Sequence, residues 1–385
     1  MKKTIAILWS LCLLSGILLG CSVITEEPDQ LAANEVSEVE KAALQPEIAI
    51  GESPRDQASE TEPPEVAFSE QAWEIDAPEN RGVNSGLLED LHNALPDEIH
   101  AVVIIKDGVL IDEYYNKGYD ETSGFWMASV TKSVTGALVG VAIEEGLVGG
   151  TDDSIAAYLP EVSGTSKAEI TIGHLLQHTS GVEWYQWGVG SRTGREMRNS
   201  ENWVEFWLAR QMATTPGSAF SYSNANSHML SVILQRQTGM TMREYAQDRL
   251  FTPMGITVVD WDEDPQGHTN GATGLTLTPR DVAKFGQLYL NGGRWDGDQL
   301  VPAVWVEQST QAQFPRYDRS GSYGYQWWIQ TFGGYDNYYA MGTGGQYIFV
   351  APELALVTVI TSTCRDTYAP WPYYTDYILA ACAAG

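Results

Sequence analysis

A serine and a lysine stand three residues apart at the start of an apolar segment. They belong to the stretch Ser129-Val130-Thr131-Lys132, and Lys132 is the only charged residue from Val130 to Ile143. In a helix, positions i and i+3 lie on one face, so the two side chains can touch. Burial disfavours the charged form of a lysine, and a neutral amine can take the serine proton. The spacing therefore predicts a serine nucleophile with an adjacent base.

The same four residues also have a purely structural interpretation. Ser129 would cap the helix, and Lys132 would extend its amine to the surface. A surface lysine, however, is expected to have polar neighbours on its helix face, and here the surrounding residues are apolar. The helix N-terminus would also stabilise a serine alkoxide and an oxyanion. We therefore favour the catalytic interpretation.

A second segment contains residues that suit the same chemistry. Tyr222-Ser223-Asn224 lies in a Ser/Asn-rich stretch after the turn Pro216-Gly217. A tyrosine hydroxyl beside a lysine can relay a proton, and Asn224 can donate a hydrogen bond to a substrate amide. An ordinary loop of helix-capping residues is the alternative.

A third segment is rich in glycine. Gly342-Thr343-Gly344-Gly345-Gln346 precedes the apolar run 347–350. Glycines would let a substrate approach the strand edge closely, and a backbone N–H there would supply half of an oxyanion hole. A hairpin turn is the alternative.

In this order, the three segments resemble those of the serine β-lactamase and penicillin-binding protein superfamily, in its class C branch. ITIGHLLQHTSGV (170–182) and GLTLTPRDVAKFGQLYLNGGRWDG (274–297) are also similar to that family, and the resemblance runs from Asn80 to Ile378. It is closest to the esterases and 6-aminohexanoate-dimer hydrolases, which share the Gly-Gly-Gln ending. The resemblance implies an acyl-enzyme on Ser129 and an oxyanion hole made by the backbone N–H groups of Ser129 and Gln346.

The third segment departs from the family pattern. In β-lactamases and peptidases it opens with Lys or His, whereas the aligned triplet here is Thr343-Gly344-Gly345. That cation helps to hold a substrate carboxylate, and such a charge-assisted hydrogen bond contributes about 1.5–3 kcal/mol. We therefore expect neutral esters or amides to be preferred over β-lactams and D-alanyl-D-alanine peptides. Arg365 is a candidate replacement, but nothing in the sequence places it in the site.

Other candidate residues belong to weaker patterns. Trp184 and Tyr185 follow a Thr-Ser-Gly loop, where they would either wall a substrate pocket or pack in the core. His174 and His178 have no acid or third ligand at metal-binding spacing, so we expect them to be structural. We expect no metal or other cofactor. No Gly-x-Ser-x-Gly elbow is present either.

The N-terminal region predicts export and tethering. Residues 1–21 resemble a lipoprotein signal peptide, with Cys21 as the lipidated residue, and an uncleaved signal anchor is the alternative. Residues 22–75 are rich in Glu, Pro, Ala and Ser and predict a disordered acidic linker. The hydrolase domain then occupies residues 76–385. We expect a lipid anchor in the bilayer of a bacterial cell envelope, with the domain on its periplasmic or extracellular face.

Charge and cysteine content narrow the function further. A net charge of −28 argues against nucleic acid as a partner. Beyond the predicted signal, Cys364 and Cys382 remain, and in an oxidising compartment a disulfide between them is favoured over two free thiols. Neither cysteine has the surroundings of a catalytic residue.

The order of the predicted elements suits an α+β fold of the β-lactamase/transpeptidase type. Residues 100–105 and 109–115 predict a hairpin around Lys106-Asp107-Gly108, and 325–332, 346–350 and 355–362 predict three later strands. Residues 152–267 between them are rich in helix and loop signals. We expect an antiparallel sheet flanked by helices, with a helical lobe inserted and the active site between sheet and lobe.

The favoured function is a lipid-anchored serine hydrolase of a small-molecule ester or amide, with Lys132 and Tyr222 sharing proton transfer. The alternatives are a peptidoglycan D-alanyl carboxypeptidase or β-lactamase, and a non-catalytic binding lipoprotein with the same fold. The missing cation motivates the last of these, and the presence of Ser129, Lys132 and Tyr222 argues against it.

Overall fold

The computed structural model of the protein describes residues 72–186 and 192–383. The predicted signal peptide with Cys21, and nearly all of the predicted linker, lie outside these residues. None of the helices in the two ranges has the length and apolar character that a membrane crossing requires.

The strands are numbered in chain order. They are β1 (Ile99–Lys106), β2 (Val109–Tyr115), β3 (Phe125–Trp126), β4 (Thr276–Leu277), β5 (Arg294–Trp295), β6 (Asp298–Gln299), β7 (Phe314–Asp318), β8 (Gly321–Tyr323), β9 (Trp328–Phe332), β10 (Tyr335–Gly342), β11 (Gln346–Ala351) and β12 (Leu356–Ser362).

The helices are numbered in the same way. They are α1 (Ser85–Ala94), α2 (Thr131–Glu144), α3 (Ile172–Leu176), α4 (Thr193–Arg198), α5 (Trp203–Ala209), α6 (Asn224–Thr238), α7 (Met242–Ala246), α8 (Pro279–Leu290), α9 (Ala303–Ser309), α10 (Trp371–Tyr373) and α11 (Ala380–Ala383). Helices α7 and α10 continue as π-helical turns over Gln247–Phe251 and Tyr374–Leu379. Short 3-10 turns cover Pro78–Arg81, Ala128–Val130, Ile155–Ala157, Pro160–Val162, Ser166–Glu169 and Pro352–Leu354.

The main sheet is antiparallel and has the strand order β2-β1-β12-β11-β10-β9-β8-β7. Early and late parts of the chain meet where β1 pairs with β12, with Val102 opposite Ile360. Helices α3 to α7 lie in the chain between the first hairpin and the later strands. The predicted α+β architecture, with an antiparallel sheet and an inserted helical segment, is therefore confirmed.

Local backbone geometry explains where the strand predictions succeeded and failed. Asp107 and Gly108 both have positive φ, 54° and 80°, which is the geometry of a two-residue hairpin turn. The strand predicted over 325–332 begins only at Trp328, because Gln326 adopts a φ of 66° that interrupts an extended backbone. Strand β10 is absent from the predicted set, yet it borders the site.

Both faces of the sheet are buried, which explains why its strands are apolar on both sides. Val103 of β1 belongs to the core cluster that contains Phe285 of α8. Its neighbour Val102 belongs to the cluster on the other face, which contains Leu91 of α1. Helix α2 packs against α6, and their N-terminal turns meet where Lys132 contacts Asn224.

Cys364 and Cys382 are buried free thiols, so the prediction of a disulfide is wrong. Cys364 lies near Glu98, just before β1, whereas Cys382 lies near Lys106 at the other end of that strand. The eight residues of β1 span about 26 Å. A disulfide requires Cα atoms about 4.4–6.8 Å apart; the two thiols are directed toward opposite ends of β1, and both are free.

Candidate active site

Ser129 lies in the 3-10 turn that leads directly into α2. Ala128 before it has a φ of 47°, in the left-handed region that residues with a Cβ rarely adopt. The Thr131 hydroxyl supports this turn, since it donates to the Ala128 carbonyl at 2.7 Å and accepts from the Leu275 N–H at 3.3 Å. Ser129 is thereby presented at a helix head, where backbone N–H groups lack intrahelical partners.

Lys132 is almost completely buried, with 1% of its surface exposed. Its Nζ lies 3.0 Å from Ser129 Oγ, 2.8 Å from Asn224 Oδ1 and 2.9 Å from the Ala272 carbonyl oxygen. No carboxylate of the described residues is paired with it. Burial therefore holds the pKa of Lys132 well below its usual value. A neutral amine at this position is the chemical requirement for a base.

The two fixed acceptors determine how a neutral Lys132 amine is oriented. Such an amine has two N–H donors and one lone pair. Asn224 Oδ1 and the Ala272 carbonyl accept the two N–H groups, which leaves the lone pair for the Ser129 hydroxyl. The serine proton can then pass to Nζ as Oγ attacks a carbonyl carbon.

Tyr222 borders both Ser129 and Lys132 and is also buried. Lys132 Nζ is 4.9 Å from the centre of its ring. Burial raises the pKa of Tyr222, and a hydrogen bond with Ser129 opposes that rise without reversing it. The phenol therefore stays protonated at neutral pH, which is the state that a proton donor requires.

His178 packs against Tyr222 with their ring centres 4.5 Å apart, and Trp328 is near-parallel to Tyr222 at 5.9 Å. The imidazole is fully buried, and neither ring nitrogen has a hydrogen-bond partner among the described residues. Burial holds the pKa of His178 well below its usual value, and repulsion from Lys132, whenever that amine is protonated, lowers it further. The neutral ring thus packs as an aromatic support beside Tyr222.

A histidine–aspartate–histidine cluster fixes the loop that supplies the Ala272 carbonyl. Asp264 Oδ2 lies 3.1 Å from His228 Nε2 and 2.8 Å from His268 Nδ1. Burial alone would raise the pKa of Asp264, but hydrogen bonds from both rings hold it below its usual range. The three ligand atoms lie within 4.8 Å of one another, close enough to be considered for a metal ion. Hydrogen bonds to one shared oxygen account for the cluster by themselves.

Ser129 opens into a pocket of about 370 Å³. Tyr222 lines it beside the nucleophile, the end of β10 contributes Met341, Gly342 and Thr343, and the segment 365–368 contributes another part of the wall. Of the residues predicted for substrate binding, Thr343 thus lines the pocket, and Asn224 contacts Lys132.

The end of β10 passes very close to the nucleophile. A Cβ at Gly342 would lie 2.6 Å from the Met127 carbonyl oxygen and 3.0 Å from the Ser129 nitrogen, so only glycine fits. Thr343 is the residue after Gly342. Within the described chain, the backbone N–H groups of Ser129 and Thr343 donate to no protein acceptor. Two free N–H groups beside a nucleophile can stabilise an oxyanion.

Three residues predicted for the site do not line this pocket. Gly344 and Gly345 form the turn that follows β10, and the Gln346 side-chain amide is hydrogen-bonded to the backbone of Ser362. Thr343, and not Gln346, lines the pocket with Ser129, so the Thr343 N–H is the better candidate for a second oxyanion donor.

The position of the missing cation also changes. In the relatives, the cation of the third segment stands two residues before a glycine. If Gly342 corresponds to that glycine, the cation position falls on buried Ala340 and not on Thr343. Neither alignment places a lysine or histidine there.

Trp184 and Tyr185 do not line the pocket either. Trp184 is 6% exposed and packs in the core, and its Nε1 donates to Gln186 Oε1 at 2.8 Å. The same oxygen accepts from the Asn224 N–H at 3.4 Å, so Trp184 supports the site indirectly. Tyr185 is 54% exposed, and its hydroxyl donates to Glu183.

Comparisons with known proteins place the chain in a family. The profile of the family described as Beta-lactamase matches residues 99–383. The 6-aminohexanoate-dimer hydrolase of Paenarthrobacter ureafaciens is 26% identical over 305 residues, which cover 72% of this chain and 76% of that protein.

Two solved structures share the fold. A putative 6-aminohexanoate-dimer hydrolase from Bacillus anthracis superposes with a TM-score of 0.64 at 23% identity, covering 80% of this chain and 86% of that one. EstCE1, described as a hydrolase with promiscuous acyltransferase activity, has a TM-score of 0.64 at 17% identity, covering 78% and 98%.

Proposed function

The chain belongs to the β-lactamase family, and from that premise we propose that it is a serine hydrolase that cleaves an ester or amide bond through an acyl-enzyme on Ser129. The observation that carries the proposal is the buried Lys132, whose Nζ is 3.0 Å from Ser129 Oγ and has two further fixed acceptors. Similarity to a 6-aminohexanoate-dimer hydrolase supports hydrolysis as the type of reaction.

Acylation begins with proton transfer from the Ser129 hydroxyl to neutral Lys132. Oγ bonds to the substrate carbonyl carbon, and the carbonyl π electrons move to its oxygen. The N–H groups of Ser129 and Thr343 stabilise that oxyanion. The lowered pKa of Lys132 and the raised pKa of Tyr222 both favour the lysine as the resting base.

Collapse of the tetrahedral intermediate expels the leaving group. The Tyr222 hydroxyl donates a proton to the departing oxygen or nitrogen and regains one from Lys132, since both groups border Ser129. Water then attacks the acyl-enzyme, and its proton returns by the same two residues as Ser129 is released. General acid–base steps of this kind contribute roughly 10²–10⁴-fold each.

A hydrolysis panel tests the proposal. It contains 4-nitrophenyl acetate, 6-aminohexanoate dimer, nitrocefin and a D-alanyl-D-alanine peptide. We expect Ser129→Ala to abolish turnover, and Lys132→Ala and Tyr222→Phe to lower kcat by about 10²–10⁴-fold. Ser133→Ala is the matched control, because that hydroxyl donates to the Gln326 carbonyl away from the nucleophile.

Turnover in the Ser129→Ala protein that equals the wild type would refute the mechanism. Preference for nitrocefin or for the peptide would keep the mechanism and move the assignment to the β-lactamase or carboxypeptidase alternative.

A further inference from the structure

The pocket contains a cation that the proposed mechanism does not use. Arg365 lines the same pocket as Ser129 and is exposed to it. Among the described residues it has neither an ion pair nor a hydrogen bond. An unpaired guanidinium beside a nucleophile is a natural binding group for an anion.

The carboxylates that line the pocket are already engaged. Asp366 accepts from Arg319 Nη2 and from the Tyr368 N–H, each at 3.0 Å. Asp318 accepts from the Ser320 N–H at 2.7 Å and has a further interaction. Since both acids have partners, the pocket group left for a charged ligand is Arg365.

The segment that carries Arg365 is attached to the site on both sides. Before it, the Cys364 N–H donates to the Gly344 carbonyl at 2.9 Å, which joins it to the turn after Thr343. After it, the Tyr347 hydroxyl donates to the Thr367 carbonyl at 2.8 Å.

Tyr368 adds a second attachment. The Arg319 guanidinium lies 3.4 Å from the centre of the Tyr368 ring, and the Tyr368 hydroxyl is 2.7 Å from Ser320 Oγ. The backbone of Arg365 is thereby fixed at the pocket edge, while its side chain keeps its donors free.

We propose that Arg365 binds a carboxylate of the substrate, so that the enzyme acts on esters or amides that carry a carboxylate near the scissile bond. The proposal rests on the serine-hydrolase function above. A guanidinium presents parallel N–H donors that match a carboxylate, and it keeps its charge at every physiological pH. Arg365 would thus replace the cation that the third motif lacks, and it reverses the sequence-based expectation of neutral substrates.

Boronic acids test the proposal without knowledge of the natural substrate. Boron accepts the Ser129 Oγ and becomes tetrahedral, as the carbonyl carbon does during attack. The probes are 3- and 4-carboxyphenylboronic acid, each matched with its neutral carbamoyl analogue, and the readout is Kd by calorimetry. In at least one pair we expect the carboxylate to bind roughly two- to fivefold more tightly in the wild type.

Four variants separate the possible causes. Arg365→Gln should remove the preference for the carboxylate, and Arg365→Lys should keep part of it. Arg294→Gln is the charge-matched control, since Arg294 is exposed on β5 outside the pocket, and it should change nothing. Ser129→Ala should abolish binding of all four acids.

Each remaining outcome is decisive. An equal ratio of carboxylate to carbamoyl affinity in wild type and Arg365→Gln, with binding still dependent on Ser129, overturns the role of Arg365 alone. An equal loss in Arg294→Gln also overturns it, because the effect is then one of net charge. Absence of any Ser129-dependent binding refutes the proposed nucleophile, and the Arg365 proposal with it.

Discussion

Asn224→Asp places a carboxylate where the structure has the amide oxygen that lies 2.8 Å from Lys132 Nζ. The two side chains have nearly the same shape, so packing is kept while a negative charge is added. A nearby negative charge favours the protonated lysine and raises its pKa. Because acylation requires the neutral amine, we predict that the acid limb of the kcat/KM profile moves to higher pH.

The size of this shift follows from the distance. Opposite unit charges at this separation attract by about 6 kcal/mol at an effective dielectric constant of about 20. Burial of the new carboxylate costs several kcal/mol and offsets much of this. The remaining stabilisation of about 1.4–4 kcal/mol raises the pKa of Lys132 by about one to three units. We expect kcat/KM at pH 7 to fall about ten- to a hundredfold and to recover as the pH rises.

The assay is a kcat/KM profile from pH 5 to pH 10 on a 4-nitrophenyl ester. Asn224→Ala is the control, because it removes the acceptor of the Lys132 hydrogen bond without adding charge. It should lose activity without an alkaline shift of the acid limb. If the acid limbs of the Asn224→Asp and Asn224→Ala profiles lie at the same pH, Lys132 does not act as the base.

Three further predictions test other parts of the structure. Gly342→Ala should lower kcat/KM and reduce the free energy of unfolding by about 1–3 kcal/mol, because its Cβ would lie 2.6 Å from the Met127 carbonyl oxygen; wild-type rates and Tm would contradict this contact. Asp264 has a lowered pKa, so its ionised form stabilises the fold fully above the unfolded pKa of about 4, and this stabilisation declines progressively as the pH falls from there toward the native pKa. Asp264→Asn should therefore destabilise the protein at pH 7 by about 1–3 kcal/mol, and by less at pH 3, in urea unfolding; an equal difference at both pH values would contradict the linkage. Cys21→Ser should shift the full-length protein from the membrane to the soluble or unprocessed fraction, and unchanged membrane association with an uncleaved N-terminus would instead favour a signal anchor.

The sequence predicted the parts of the site that are local in the chain. Ser129 and Lys132 are three residues apart, and helical periodicity is enough to put them on one face. The turn at Asp107 and Gly108 was likewise predictable, because two residues with positive φ suit that pair. The sheet with an inserted helical segment followed from a family resemblance spread over several motifs.

Contacts between distant segments were not predictable in the same way. The Ala272 carbonyl reaches Lys132 across 140 residues, and a backbone oxygen has no side-chain signature. The sequence identifies Arg365 as a candidate cation, but only the attachment of its segment beside the Thr343 turn places it in the pocket. The resemblance places an oxyanion donor at Gln346, but the close approach of Gly342 to Ser129, which favours Thr343 instead, has no signal in the sequence.

The most direct test of the central claim is intact-mass analysis of the protein after incubation with a fluorophosphonate, followed by peptide mapping. We predict one adduct per chain, located on Ser129, with a rate that falls by at least about a hundredfold in Lys132→Ala. The Ser129→Ala protein should remain unmodified, and Ser133→Ala should react like the wild type. An unmodified wild type, or equal modification of the Ser129→Ala protein, would contradict the assignment of Ser129 as the nucleophile.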